Sequence, residues 1–293
     1  MAVYERRYRA YDGPETATWS RFLIPTRYAF QRLFESKGLL FFLVLCSFFP
    51  VGCTFYVYIV NNLSRLAALG IEITGSNTTI GPNFFLVFFE VQATVLGMVL
   101  TLIVGPGVVS PDLANNGLPL YLVRPFSKWE YALGKLLVLV SMLSLITWLP
   151  ALLLFGMQVM LAGGTWLWDN LGLLAGIVTI GLIQCVIYAL VATAVSATVK
   201  WRPVAAALLF AIFAMGSALG LAMSGILGSP YGSLLDVQHV LRTLRRAAFG
   251  GDLPINAEQG VIPVPACVVM LAIVTLLCLW QLSRRLKAYE VVR

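Results

Sequence analysis

Residues 111–135, PDLANNGLPLYLVRPFSKWEYALGK, form a short polar and basic island between two long apolar runs. The flanking runs, at about residues 83–109 and 131–157, each have the roughly 20 mostly apolar residues that a membrane-spanning helix needs. A chain that crosses a membrane must emerge from it to meet a soluble partner. We expect this chain to do so at the island.

The overall composition also indicates a membrane protein. The 293 residues are 59% hydrophobic and only 11% charged, whereas a soluble domain carries about 25% charged residues. Such a chain cannot cover itself with polar surface, so lipid must cover the rest. The formal net charge of +7 does not indicate nucleic acid as a partner, because Lys and Arg flank the apolar runs instead of forming a basic domain.

The predicted fold is an all-α integral membrane protein with six transmembrane helices. Residues 39–282 form the transmembrane domain, between a cytoplasmic N-terminal tail at 1–38 and a cytoplasmic C-terminal tail at 283–293. The bounds of the individual spans follow from the apolar runs. The six spans are expected at about 39–61, 83–109, 131–157, 170–197, 203–226 and 263–282.

An amphipathic pattern precedes the first span. Between residues 18 and 37, Phe30, Leu33 and Phe34 share one helical face, and polar residues share another. This pattern is typical of a helix that lies in the membrane interface just before a span. The alternative is a turn of helix in the soluble phase.

The distribution of basic residues predicts the orientation. With six spans both termini lie on one side, and that side holds sixteen of the 20 Lys and Arg residues. Basic residues collect on the cytoplasmic side of membrane proteins. Both termini and the island are therefore predicted to be cytoplasmic.

The long segment at residues 227–262 is predicted to be on the outer side. Its first half alternates apolar and basic residues, with Arg242, Arg245 and Arg246 close together. We predict one or two helices that dip into the outer leaflet as re-entrant helices or lie on it. The alternative is a soluble ligand-binding lobe, for which the segment is too short to bury a core of its own.

Polar residues within the spans are few. Glu90 lies inside the second apolar run with Gln92 two residues later, and an ionisable residue at membrane depth indicates a pathway or a buried partner. The alternative is that Glu90 lies near the outer end and reaches headgroups or water. Gln184 is expected to form an interhelical hydrogen bond. His239 has no cluster of ligands around it in sequence, so no metal site is predicted.

Small residues recur at helical spacing in two spans. Gly172 and Gly176 do so in the fourth, and a longer stripe occupies the fifth. Such stripes allow close helix approach, so we expect packing or a subunit interface there. The longer stripe consists of Gly216, Gly220, Ser224 and Gly228.

Several catalytic motifs do not occur in the sequence. It contains no GxxxxGK[ST], no HExxH and no GxSxG. Its two halves show no inverted repeat of broken helices, which is the usual mark of a self-sufficient secondary transporter. We therefore expect no enzyme and no catalytic residue in this chain, but a subunit that takes its energy from a partner.

The island resembles a known signature. The run GLPLYLVRPFSKWEYALGKLL is similar to the cytoplasmic segment after the second span of type-2 ATP-binding-cassette (ABC) permeases, the membrane subunits of many bacterial exporters. Those proteins have an acidic residue before the glycine, where this chain has Asp112 followed by Ala114, Asn115 and Asn116. The matching positions are Gly117, Leu118, Leu120, Leu122, Arg124, Pro125, Phe126, Ser127, Lys128, Gly134 and Lys135.

The resemblance implies a function and a set of partners. Two permease copies, identical or paralogous, would pair in a bacterial inner membrane among its lipids, and each would dock one ABC ATPase through a short helix after the second span. ATP and Mg²⁺ would bind to the ATPase and not to this chain. The substrate path would run between the two permeases, along the second and fifth spans.

Site residues follow from the same resemblance. Docking to the ATPase would involve Asp112, Leu113, Asn115, Asn116, Arg124 and Lys128. The translocation path or subunit interface would involve Glu90, Gln92, Gly216, Gly220 and Ser224.

Two other classes of function remain open from the sequence. One is a structural subunit that anchors partners in the membrane without transport, which the shortage of polar residues in the spans favours. The other is an integral-membrane enzyme acting on lipid, which needs at least two convergent titratable groups at one depth, whereas the spans offer Glu90 alone. Co-purification of an ATPase would separate the transporter subunit from both.

Overall fold

The computed structural model describes residues 23–63, 80–115, 128–251 and 262–285. Within these ranges the chain is helical and contains no strand. Six helical stretches are long and apolar enough to cross a membrane, which confirms the all-helical, multi-pass pattern by length and composition. These spans 1 to 6 are Lys37–Asn61, Pro82–Ala114, Lys128–Ala162, Leu171–Ser196, Arg202–Leu227 and Val264–Arg285.

Span 4 is the centre of the bundle. Of its most apolar stretch 61% is buried, against 17% for spans 1 and 6, whose apolar side chains point outward. Small residues on span 4 allow the close packing: Gly181 meets the side chain of Trp148 from span 3, and Ala192 meets Gly105 from span 2. Because the described chain leaves the outward faces of spans 1 and 6 uncovered, these spans suit the lipid-facing edge of the bundle.

Spans 2 and 3 are interrupted helices. Span 2 comprises the helices Pro82–Phe89, Gly97–Val104 and Ser110–Ala114, with a π-helical segment at Glu90–Leu96 and a 3₁₀ turn at Gly105–Gly107. Span 3 comprises the helices Lys128–Ile146 and Trp148–Ala162, which meet at Thr147. The latter break is caused by Pro150, because its ring clashes with the preceding turn and it cannot donate the hydrogen bond back to Ile146.

The amphipathic segment before span 1 forms a helix, Leu23–Phe34. It packs against span 3, where Thr26 Oγ1 donates to the Gly134 carbonyl over 3.0 Å. Phe30 and Leu33 pack on the core, while Tyr28 is exposed. Two residues of the apolar face predicted from the sequence, Phe30 and Leu33, are therefore covered by the bundle, whereas the third, Phe34, is exposed.

After span 5 the chain turns back along that span. Gly228 ends the helix in the left-handed region at φ 57°, and the 3₁₀ segment Pro230–Leu235 follows. Gly232 lies directly against the Ser224 backbone. Leu235 and Asp236 lie against Gly216, which is twelve residues before Gly228. The returning chain therefore runs along about 18 Å of span 5.

The next helix, Val237–Phe249, starts deep in the bundle, and we call it the inserted helix. Asp236 Oδ1 caps it by accepting from the Gln238 backbone N–H over 2.9 Å. The Gln238 side chain contacts Met98 Sδ at 3.1 Å, near the middle of span 2. Since the other end of the helix packs Phe249 against Gly176 near the start of span 4, the inserted helix rises from mid-bundle to one end.

Candidate functional site

Charged side chains converge where the inserted helix crosses span 2. Arg242 and Arg245 are three residues apart and therefore lie on one face of the inserted helix. Glu90 and Thr94 face them from the π-helical segment of span 2. We call these four side chains the charge cluster.

Arg242 holds Glu90 with a two-pronged contact. Its Nε donates to Glu90 Oε1 at 2.9 Å and Oε2 at 3.1 Å, and its Nη2 lies 2.7 Å from Oε1. The planar guanidinium suits this arrangement, which is stronger and more directional than a single charged hydrogen bond. The Glu90 side chain is nevertheless 40% exposed and that of Arg242 27% exposed. The pair therefore lies on the surface of the bundle.

Arg245 lies behind this pair and is nearly buried, with 2% of its side chain exposed. Its Nη2 donates to Thr94 Oγ1 at 2.9 Å and approaches Glu90 Oε2 only at 3.8 Å. Its guanidinium also lies 5.8 Å from the centre of the Phe89 ring. Within the described residues, Arg245 Nε and Nη1 make no hydrogen bond.

Two polar side chains of span 4 adjoin the charge cluster. Tyr188 is buried and is an electrostatic neighbour of Arg245, and the Gln184 amide lies beside the Tyr188 hydroxyl without hydrogen-bond geometry. The predicted interhelical hydrogen bond of Gln184 is therefore wrong for the described part of the chain. Gln184 and Tyr188 are therefore buried polar groups without a hydrogen bond in the described residues.

The other residues predicted for a path or interface have different contacts. Gln92 is buried and donates to the Cys46 carbonyl of span 1 at 2.9 Å. Gly216 and Gly220 pack against the chain's own segment around Asp236. Ser224 bonds within its own helix. Of the five residues, only Glu90 belongs to the charge cluster.

The sequence did not identify Arg242 and Arg245 as members of a site, because they lie in the long outer segment, far in sequence from Glu90. The available signal was an unpaired acid within a span together with two arginines at helical spacing. His239 is buried on the inserted helix and we assign it no role. In the described ranges no group of three His, Cys, Asp or Glu side chains converges as a metal site would require.

At the opposite end of the bundle, Asp112 of the helix Ser110–Ala114 faces span 3. Asp112 Oδ2 accepts from the Tyr131 hydroxyl at 2.5 Å and pairs with Lys135 Nζ at 2.9 Å. The other described docking candidates differ in exposure: Leu113 is half-buried, and Asn115 and Lys128 are exposed. Asn116 and Arg124 lie outside the described residues.

A buried hydroxyl pair fixes the start of the same helix. Ser196 Oγ, at the end of span 4, accepts from the backbone N–H groups of Val109 and Ser110 at 3.0 and 2.9 Å. The Ser110 hydroxyl in turn donates to the Ser196 carbonyl at 2.9 Å. The helix is therefore attached both to span 4 and, through Asp112, to span 3.

No known protein family matches the chain, and no curated protein matches it. The functional assignment therefore depends on the residues themselves.

Proposed function

We propose that this chain is the transmembrane permease subunit of an ABC exporter in a bacterial inner membrane. A separate ATPase subunit would bind ATP and Mg²⁺ and hydrolyse the nucleotide, and a second permease copy, identical or paralogous, would complete the transporter. The proposal is carried by one observation. A short helix, Ser110–Ala114, stands at the end of span 2 directly before the permease-like motif and is held by two neighbouring spans.

These two attachments suit a helix that transmits force. Asp112 connects it to Lys135 of span 3, and Ser110 connects it to Ser196 of span 4. A docked ATPase that displaces the helix would therefore move two spans together. Asn115 directly follows the short helix and is exposed, so it is the described position best suited to touch the ATPase.

The proposed placement in the membrane follows the basic residues. The short helix and both termini would lie on the cytoplasmic side, and the helix Leu23–Phe34 would lie in the interface beside span 3. The inserted helix would then enter from the outer side and reach the middle of the membrane, as a re-entrant helix. This placement puts the Glu90–Arg242 pair in the outer half of the membrane.

The exposed Glu90–Arg242 pair supports a path or interface on that face. Charged side chains at membrane depth face protein or water and not lipid, because lipid offers them no hydrogen bonds. The face of span 2 around Glu90 would therefore look toward the second permease copy or the substrate path. Gln92 faces span 1 and would not line that path.

The test is co-purification with an ATPase encoded beside this chain. The two proteins are co-expressed, purified in detergent and assayed for co-elution and ATP hydrolysis, with wild type compared with Asn115→Arg. Asn62→Arg is the matched control. Asn62 follows the last residue of span 1, at the end that would lie on the outer side of the membrane, away from the ATPase. Loss of association with Asn115→Arg and not with Asn62→Arg supports docking at the short helix.

A structural anchoring subunit remains the second candidate, favoured by the apolar character of the spans. It predicts that no ATPase co-elutes under any co-expression. That result would overturn the transporter proposal. Co-elution without hydrolysis would also contradict it, because an energised permease requires turnover.

A further inference from the structure

We propose that the charge cluster binds one anionic group, a carboxylate or a phosphate, carried by an amphipathic molecule. Arg245 would supply the principal contact, with Arg242 and Glu90 at the opening. The inference deepens the proposed function and rests on it only where the bound molecule is taken to be cargo. Binding itself requires no ATPase.

The charge balance of the cluster favours an anion. Two guanidinium groups face one carboxylate, and a guanidinium stays protonated in proteins. In the described part of the chain, Glu90 is the only carboxylate in ion-pair contact with Arg242 or Arg245. Arg242 already occupies both oxygens of Glu90, so the charge of Arg245 is only weakly balanced.

The unused hydrogen-bonding groups are also mostly donors. Arg245 Nε and Nη1 lack acceptors in the described residues, and the Tyr188 hydroxyl and both atoms of the Gln184 amide are likewise unpartnered there. Buried donors without acceptors are unfavourable. An anionic oxygen would accept from the free donors of Arg245 and balance its charge, which a water molecule cannot do.

The surroundings indicate that the rest of the ligand is apolar. On span 2, Val87 and Val95 are exposed on either side of Glu90 along the helix. The Phe89 ring lies 5.8 Å from the Arg245 guanidinium. A partly exposed pair of charged side chains bordered by exposed aliphatic side chains suits a molecule with an anionic end and a hydrocarbon part.

The experiment measures binding of dodecyl phosphate to the purified full-length chain in a neutral detergent, by native mass spectrometry across a concentration series. Dodecylphosphocholine is the matched probe, because it has the same hydrocarbon chain but no net charge. The proposal predicts one saturable dodecyl phosphate per chain. Dodecylphosphocholine should bind at least about tenfold more weakly, because its choline cation cancels the negative charge that would balance Arg245.

Three variants test the residues. Arg245→Gln should weaken dodecyl phosphate binding by about tenfold or more, because its charge-assisted hydrogen bonds are lost. Arg246→Gln is the control and should bind like wild type, since Arg246 Nε donates to the Gly251 carbonyl outside the cluster. Glu90→Gln should bind more tightly than wild type, because it removes the carboxylate that competes for the guanidinium groups.

Arg245→Gln is expected to weaken binding and Glu90→Gln to strengthen it, so the test stays decisive even if one variant folds poorly. Arg245→Gln leaves Glu90 paired with Arg242, so a folded variant is expected, with monodisperse elution as the check. Equal binding of dodecyl phosphate by wild type and Arg245→Gln overturns the site. Equal binding of the two probes, an equal loss with Arg246→Gln, or weaker binding by Glu90→Gln also overturns it.

Competition identifies the source of the anion. Displacement of the probe by inorganic phosphate indicates a free anion. Displacement of the probe by the lipids of nanodiscs that contain phosphatidylglycerol, and not by those of nanodiscs made of phosphatidylcholine alone, indicates a lipid headgroup. Displacement by dodecanoate alone indicates an anionic amphiphile as cargo. The last two outcomes support the site as proposed, whereas displacement by inorganic phosphate as effective as that by dodecanoate would overturn its apolar part. None of these outcomes depends on whether an ATPase co-elutes.

Discussion

Arg242 and Glu90 are 152 residues apart in sequence, and the Arg242 Nε donates to both carboxylate oxygens of Glu90 at 2.9 and 3.1 Å. The contact fastens the inserted helix to the π-helical segment of span 2. Such π segments occur frequently at functional sites, and here the segment contributes two of the side chains that meet the arginines. The same contact therefore fixes the fold and shapes the charge cluster.

This relationship predicts unequal costs for removing its two members. Glu90→Gln leaves two arginines without a carboxylate, whereas Arg242→Gln leaves Glu90 close to Arg245. Glu90→Gln should lower the free energy of unfolding by about 1–3 kcal/mol, because it leaves the buried Arg245 without a carboxylate. Arg242→Gln should cost less, about 0–1 kcal/mol, as is usual for an exposed ion pair. Thermal or detergent-induced unfolding of the purified chain, without added anions, measures the difference.

The double variant Glu90→Gln with Arg242→Gln completes the cycle. It should lose less than the sum of the two single changes, because the two residues share one interaction. Arg202→Gln is the control, since Arg202 is exposed at the start of span 5. Equal losses for the two single variants would contradict a role for Arg245 in holding Glu90.

Hydrophobic run length was sufficient to predict the six spans. A stretch of apolar residues as long as a bilayer is thick is a strong signal, because few other structures need one. The break at Thr147 within span 3 was missed, although Pro150 carries the signal for it. The helix Leu23–Phe34 was predicted because the face defined by Phe30 and Leu33 repeats at helical spacing.

The charge cluster was less predictable. Glu90 is conspicuous in the sequence because a charge inside an apolar run is unusual, but its partner Arg242 lies 152 residues away and no local rule connects the two. Likewise, the stripe at Gly216 and Gly220 indicated close packing, whereas the segment that packs there comes from the following connection. Long-range pairing depends on the path of the chain in space, which spacing in sequence does not encode.

Gly232 tests the path by which the chain turns back along span 5. A β-carbon at Gly232 would collide with the backbone of Ser224, which cannot move aside as a flexible side chain would. Gly232→Ala should therefore destabilise the chain by about 1–3 kcal/mol, as overpacking does elsewhere. Thermal unfolding of the purified protein measures the change.

Gly225→Ala provides the matched control for Gly232→Ala. Gly225 lies in the helix of span 5 with open space around it, and alanine is favoured over glycine in a helix by about 1 kcal/mol. Gly225→Ala should therefore leave stability unchanged or raise it. A similar loss in both variants would show that Gly232 does not pack against span 5.

Ser196 tests the attachment of the short helix to span 4. Ser196→Ala removes the acceptor of two backbone N–H groups in the buried turn before that helix. Leaving buried donors unpaired costs about 1–3 kcal/mol, so the unfolding temperature should fall. Ser47→Ala is the control, because Ser47 is exposed and bonds only to its own helix; equal behaviour of the two variants would contradict the attachment.

Asp112 tests the second attachment of that helix through the reactivity of a lysine. Lys135 Nζ is 2.9 Å from Asp112 Oδ2 and its side chain is mostly buried, whereas Lys128 on the same helix is exposed. Asp112→Asn removes the charge that holds Lys135, so Lys135 should be acetylated several times faster by a water-soluble reagent, and Tyr131→Phe should have a smaller effect. Peptide mass spectrometry reads both lysines in one sample, with Lys128 as the internal control. An unchanged ratio of Lys135 to Lys128 acetylation in Asp112→Asn would mean that Asp112 does not hold the helix to span 3, and the proposed route of force into span 3 would be lost.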